Sequence, residues 1–186
     1  MNVRILSEQP SLQTRRLRLR PFRPSDAADL QRLAGAWEIA DTTTNIPHPY
    51  QDGLAEEWIA SRGERFRSGE SVVFAITGAE NGDLLGAIGL EINAEEAVAE
   101  MGYWIGKPSW NRGLCTEAAV AILRFGFEDL GLARVQARHF NRNPASCRVM
   151  EKIGMAVEGR LPDPFFKWGK PEIVEMHAIL KKDYKP

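Results

Sequence analysis

Trp110-Asn111-Arg112-Gly113-Leu114-Cys115-Thr116-Glu117-Ala118 is the stretch on which the reading of this chain turns. The run Glu100 to Ile105 leads to it with strand alternation, through the break Gly106-Lys107-Pro108-Ser109. The segment Leu114 to Leu130 leaves it with helical spacing. A strand, a glycine turn and a helix start aim several main-chain N–H groups at one point, with the positive end of the helix dipole behind them. Gly113 allows the backbone close to a bulky anion, and Arg112 stands beside it as a permanent cation. An ordinary capped turn has the same parts, so the flanking chain has to decide.

Downstream, Ala119, Ile122, Leu123, Gly126, Phe127 and Leu130 recur at i, i+3, i+4, and Gly131 closes the helix. Ala133 to Phe140 is then a strand, and its return after a helix implies a parallel neighbour. Asn143 caps a further helix with Pro144 at its first position; Val149, Met150 and Ile153 face inward and Gly154 ends it. Met155 to Leu161 and Ile173 to Leu180 read as closing strands, separated by Pro162-Asp163-Pro164 and the turn Trp168-Gly169-Lys170-Pro171.

Upstream, Val72 to Thr77, Leu84 to Ile92 and Ala97 to Ile105 are strands joined by short turns, one of them Asn81-Gly82-Asp83, which fits antiparallel pairing. Asp52 to Arg67 is helical, with Trp58, Ile59, Arg62 and Phe66 on its apolar side. Thr42 to Tyr50 holds two prolines and no period, so it is a long polar, aromatic loop of the kind that lines ligands. A helix through Ala27, Leu30 and Leu33 is capped by Ser25 or Asp26. Leu12 to Phe22 reads as a half-exposed strand, with Arg16, Arg18 and Arg20 on its solvated face. Residues 1 to 11 read as a loose lead-in.

The chain has 186 residues, 44% of them hydrophobic and 26% charged, which fits one mixed α/β domain with a full core. Its formal net charge of −1, with both signs interspersed, gives no pull toward nucleic acid or a membrane surface. No run approaches the ~18 apolar residues of a membrane span, and the first residues lack the apolar core of a signal peptide, so a cytoplasmic setting is expected. Cys115 and Cys147 read as free thiols, and with three scattered histidines no metal-ligand spacing is visible. Strand alternation would permit a homodimer by sheet extension.

Taken in order, Thr14-Arg15-Arg16-Leu17-Arg18-Leu19-Arg20, Gly102-Tyr103-Trp104-Ile105, Gly113-Leu114-Cys115-Thr116-Glu117-Ala118, Asn143-Pro144-Ala145-Ser146 and Val149-Met150-Glu151-Lys152-Ile153-Gly154-Met155 resemble the GNAT superfamily of acetyl-CoA-dependent N-acetyltransferases. Within it they are most similar to the ribosomal-protein-alanine N-terminal acetyltransferases. The resemblance implies a mostly antiparallel sheet whose fourth and fifth strands, here 97–105 and 133–140, splay apart around acetyl-CoA. It implies that the backbone of Arg112, Gly113, Leu114, Cys115 and Thr116 cradles the pyrophosphate. Trp104 and Ile105 would offer main-chain groups to the pantetheine arm, and Asn143 and Ser146 would bond it. The superfamily pattern at this turn carries Gln or Arg where Trp110 stands, and Gly or Ala where Cys115 stands.

Transfer of an acetyl group to an amine needs a base for the amine, a polarised thioester carbonyl and a proton for the leaving thiolate. Glu100, which alternation places on one face with Gly102 and Trp104, is the candidate base. Many members of the superfamily carry a proton-donating tyrosine seven residues after the asparagine. Met150 stands there, which leaves Ser146 as the nearest hydroxyl. Cys147 is not read as an acyl carrier, because no histidine is tied to it by sequence. His139 reads as structural. By the resemblance, His48, Tyr50 and Trp168 border the amine acceptor, a protein N-terminus or a small molecule. A catalytically silent acyl-CoA-binding or sensing domain is the competing reading. A nucleotide-phosphate domain is weaker, since no P-loop ending is present.

Overall fold

The computed structural model describes residues 3–161 and 163–185. Met1, Asn2 and Pro162, which belong to the expected lead-in and inter-strand turn, lie outside them. The strands are β1 (Leu12–Gln13), β2 (Leu17–Arg20), β3 (Ser71–Gly78), β4 (Leu84–Asn93), β5 (Val98–Ile105), β6 (Arg134–Phe140), β7 (Ala156–Arg160), β8 (Phe165–Lys167), β9 (Lys170–Glu172) and β10 (Val174–Leu180). The helices are α1 (Ala27–Ala34), α2 (Trp37–Thr42), α3 (Leu54–Arg67), α4 (Leu114–Arg124) and α5 (Pro144–Lys152). Eight strands form one sheet in the order β1-β2-β3-β4-β5-β6-β10-β7, and β8 pairs with β9 as a separate hairpin. Every pairing is antiparallel except β5 with β6, the parallel return expected after α4.

Alternation divides β5 between two layers. Ala99, Met101 and Ile105 join the main core with Phe74, Ile88, Leu90, the apolar side of α4, including Ile122, and Phe125 just beyond it. On the opposite face Ala27, Leu30 and Leu33 of α1 and Ala55 and Ile59 of α3 pack over Ala75 and Leu84, with Trp58, Trp104 and Tyr50 at their edge. α4 stops being regular at Phe125, where Leu130 N–H reaches back five residues to the Phe125 carbonyl in a π-turn. Gly126 makes the tight approach there possible: a Cβ would stand 3.1 Å from Leu132 Cδ1 and 3.3 Å from Leu90 Cδ1.

The N-terminal third departs from its sequence reading. Leu12 to Phe22 is a small hairpin rather than one strand. Thr14 N–H turns back to the Leu17 carbonyl, and Leu12 pairs with Leu19. The lead-in is packed, with Arg4 N–H on the Leu130 carbonyl, Gln9 on Val73, and Val3 and Leu6 against the core. Arg20 is buried against Asp26 instead of facing solvent, and Asp26 spends its carboxylate there rather than as a side-chain cap of α1. The α2 helix and the β8–β9 hairpin were not anticipated; Lys170 and Pro171 belong to β9 rather than to the turn. Among the described residues no helix is long and apolar enough to cross a membrane.

Candidate active site

The rung register fixes where the sheet opens. β5 and β6 pair at Val98–Arg134, Ala99–Val135 and Glu100–Gln136. Beyond that rung β5 continues along β4 as far as Ile105, while β6 follows β10 to Phe140. Glu100 therefore sits at the apex of a split. Gly106 N–H bonds the Leu85 carbonyl, and antiparallel alternation then commits the Trp104 main chain to Ala87. Tyr103 and Ile105, rather than Trp104, direct main-chain groups into the split. The Ile105 carbonyl already accepts the Trp110 indole N–H at 2.5 Å, which leaves its N–H. The side chain of Trp104 lies on the α1/α3 face.

A cleft of about 1120 Å³ runs through the split. Glu100, Trp104, Ile105, Gly113, Leu114, Cys115, Thr116, Asn143 and Ser146 all line it, as does Tyr50. At one mouth Asn111 (φ +59°) and Gly113 (φ +71°) reverse the chain into α4. The first bond of that turn is Glu117 N–H to the Gly113 carbonyl. Among the described residues nothing takes the N–H groups of Leu114, Cys115 and Thr116, as expected of a helix start without a side-chain cap. The Arg112 side chain is exposed and does not line the cleft.

Arg16, expected on a solvated face, supplies a cation at this turn. Its Nε bonds Glu117 Oε2 at 2.7 Å, its Nη1 donates to the Arg112 carbonyl at 2.8 Å, and its Nη2 lies 3.6 Å from where a Gly113 Cβ would be. Burial would raise the Glu117 carboxyl, but Thr14, the Arg16 N–H and the Arg16 guanidinium outweigh it and hold it below the ordinary range. The N-terminal hairpin is thus clamped onto the turn. Cys115 packs its side chain against the main core, and burial pushes its thiol up to about 12.

Across the split, Asn143 Oδ1 caps α5 by accepting Ser146 N–H at 3.2 Å. The Tyr103 hydroxyl reaches from β5 to Ser146, 2.8 Å from its Oγ and 3.1 Å from its carbonyl. Burial raises the Tyr103 phenol, so it stays protonated. Met150 is fully buried. One Glu100 oxygen is held by Arg138 Nε at 2.8 Å.

Of the three residues expected to border the acceptor, Tyr50 lines the cleft, and His48 and Trp168 do not. His48 Nδ1 meets the Gly35 carbonyl at 3.0 Å and its ring abuts Trp37 edge-on. Trp168 stacks on Trp37 and donates to Asp41 Oδ1. Lys167 beside it bonds the carbonyls of Thr44 and Ile46, pinning the loop that lines the cleft. The fold also joins groups that spacing kept apart: His139, Cys147 and His177 converge, with His177 Nε2 4.0 Å from Cys147 Sγ.

A model of the acetyltransferase (GNAT) domain matches residues 16–156, and the chain belongs to that family of N-acetyltransferases. An uncharacterised N-acetyltransferase of Bacillus licheniformis, p20, is 29% identical over 178 residues, covering 94% of this chain and 98% of that one. Among solved structures, RimL, a ribosomal L7/L12 α-N-protein acetyltransferase in complex with coenzyme A, superposes with a TM-score of 0.84 at 16% identity, covering 92% of this chain and 98% of its own. A chimeric spermidine N-acetyltransferase, SpeG, from Vibrio cholerae gives 0.77 at 22% identity, covering 90% and 97%.

Proposed function

We propose that the chain moves the acetyl group of acetyl-CoA to a primary amine, a protein N-terminus or a small molecule, by direct attack of the amine on the thioester. The observation that carries this is the position of Glu100 at the last paired rung, facing the cleft where the strands part. The residues present fit the co-substrate. Three free amides at the head of α4, with Arg16 beside them, suit a pyrophosphate. Tyr103 and Ile105 offer strand-like main-chain groups to the pantetheine amides. Acetyl-CoA supplies the activated acyl group; the chain supplies the proton traffic. The Glu100 carboxylate takes the amine proton, directly or through water. Main-chain N–H groups of the split polarise the carbonyl. Ser146 Oγ–H gives its proton to the departing sulfur and regains one from water in the cleft. Tyr103 holds that hydroxyl in place.

The cofactor half is tested by calorimetric titration with acetyl-CoA, with ATP as control. Micromolar acetyl-CoA binding and none to ATP is expected; no acetyl-CoA binding at millimolar concentration removes the turn at Gly113 as a pyrophosphate cradle. For the proton donor, Ser146→Ala should lower kcat about tenfold to a hundredfold, the low end for a positioned acid because water can enter. Tyr103→Phe should lower it less, since the phenol only orients Ser146. An unchanged kcat in Ser146→Ala would mean that water alone protonates the thiolate.

A further inference from the structure

His139 on β6 and His177 on β10 are diagonal neighbours on one face of the sheet, since His177 stands opposite Ala137 and Glu175 opposite His139. α5 covers that face and brings Cys147 down beside them. The two ring nitrogens Nε2 face each other at 3.1 Å, and the three possible ligand atoms all lie within 4.8 Å of one another. A tetrahedral ion with two imidazoles and one thiolate separates its nitrogens by about 3.3 Å, and nitrogen from sulfur by about 3.6 Å, from ordinary zinc–ligand lengths. The observed 3.1 Å and 4.0 Å come within a small side-chain adjustment of both.

Two further features point the same way. His139 Nδ1 bonds the Phe140 carbonyl at 2.8 Å, the outer contact that turns a ligand histidine's Nε2 lone pair inward. His177 is completely buried and lacks such an outer contact among the described residues, so its Nε2 contacts alone orient the ring. The β10–β7 register also shifts between Met176 and His177, a local irregularity of the kind that re-aims a side chain. Beside the cluster, Glu175 Oε2 lies 3.7 Å from His139 Nε2 and supplies negative charge that favours a divalent cation.

We propose that His139, Cys147 and His177 bind one thiophilic divalent cation of the zinc class, through Nε2, Sγ and Nε2, with Glu175 or water in the fourth position. On binding, the His177 proton moves from Nε2 to Nδ1 and the Cys147 thiol proton leaves to solvent. The ion takes two nitrogen ligands and one thiolate in exchange for bound water. The nitrogen–sulfur set selects zinc or cobalt over magnesium or calcium. His139 also lines the cleft and Cys147 follows Ser146, but metal binding is read spectroscopically, so its test needs no acceptor.

The experiment is a cobalt(II) titration of the reduced, tag-free chain, followed by absorption and then by displacement with zinc. A one-to-one endpoint is expected, with tetrahedral d–d bands and a near-ultraviolet thiolate-to-cobalt band, all erased by zinc. The thiolate band should be lost in Cys147→Ser and kept in Cys115→Ala. His177→Gln, if folded by circular dichroism, should lose the one-to-one binding; if it does not fold, the cysteine pair alone decides. Absence of saturable one-to-one binding, or a thiolate band that survives Cys147→Ser, overturns the proposal and leaves His139 and His177 as a hydrogen-bonded pair.

Discussion

Glu100→Gln is expected to lower turnover by about 10²- to 10⁴-fold, the range for a positioned general base, while acetyl-CoA affinity stays within about twofold of wild type. That loss corresponds to roughly 2.7–5.4 kcal/mol of barrier. The substitution keeps the shape and an oxygen for Arg138 Nε, now 2.8 Å from the carboxylate, and removes the charge and the basic site. Binding should survive because the free amides at the head of α4 and the strand groups of Tyr103 and Ile105 belong to different parts of the cleft. Arg138→Met is the companion. It releases one carboxylate oxygen without removing the base, so it should cost less turnover than Glu100→Gln. Full activity in Glu100→Gln would sink the assignment of the base. Loss of acetyl-CoA binding together with turnover would instead mean that Glu100 holds the split together, since it occupies the last rung opposite Gln136.

What could be read in advance, and what could not, divides by the range of the cause. The turn at Gly113, the cap at Asn143 and the parallel return of β6 follow from local signals: a glycine beyond a strand, Asn-Pro before a helix, a strand after a helix. Thr14 breaks the expected first strand because its hydroxyl finds Glu117, 103 residues away. Arg20 is buried because Asp26 meets it, and no pattern of alternation contains that partner. Alternation placed the Trp104 and Tyr103 side chains on opposite faces correctly. Which main-chain groups the ladder leaves open depends on the register with β4, and for that reason the proposed strand-like contacts fall on Tyr103 rather than Trp104. The helix α2 and the strands β8 and β9 are too short to show a period. The convergence of His139, Cys147 and His177 draws on β6, α5 and β10, so spacing along the chain cannot display it. His48 and Trp168, expected to border the acceptor, do not line the cleft and pack on Trp37 instead, a contact between separate segments that spacing cannot display.

Asp26→Asn is expected to destabilise the fold by about 3–5 kcal/mol at neutral pH, the usual cost of leaving one member of a buried ion pair behind. Arg20 grips Asp26 with two nitrogens, Nη1 at 2.7 Å and Nη2 at 2.8 Å, and the side chains are only 10% and 9% exposed. The Arg23 N–H adds a third bond at 2.8 Å. Asparagine fills the space but leaves a guanidinium out of water with no counter-charge. Against a total stability of ~5–15 kcal/mol, that is a large fraction. For a chain of this size each kcal/mol shifts the midpoint by about 2–4 °C, so Tm should fall by roughly 6–20 °C. Burial would raise the Asp26 carboxyl, but the Arg20 bonds, the Arg23 N–H and both positive charges outweigh it and hold it below the ordinary carboxylate value. A depressed folded-state pKa contributes stability that is present in full above the unfolded value near ~3.9 and is lost as pH falls through the folded one. The deficit of Asp26→Asn against wild type should therefore be full at pH 7 and shrink on acidification below the ordinary carboxylate range, as urea denaturation at several pH values would read. A deficit independent of pH would mean that the charge of Asp26 is not what stabilises. Replacing both partners together, Arg20→Met with Asp26→Leu, should recover most of the loss, because it removes the stranded charge along with its partner. The pair sits where β2 hands over to α1, and α1 with α3 forms the layer against Trp104 and Tyr50. Its loss should therefore loosen the acceptor side of the cleft first, and leave the amides at the head of α4 in place.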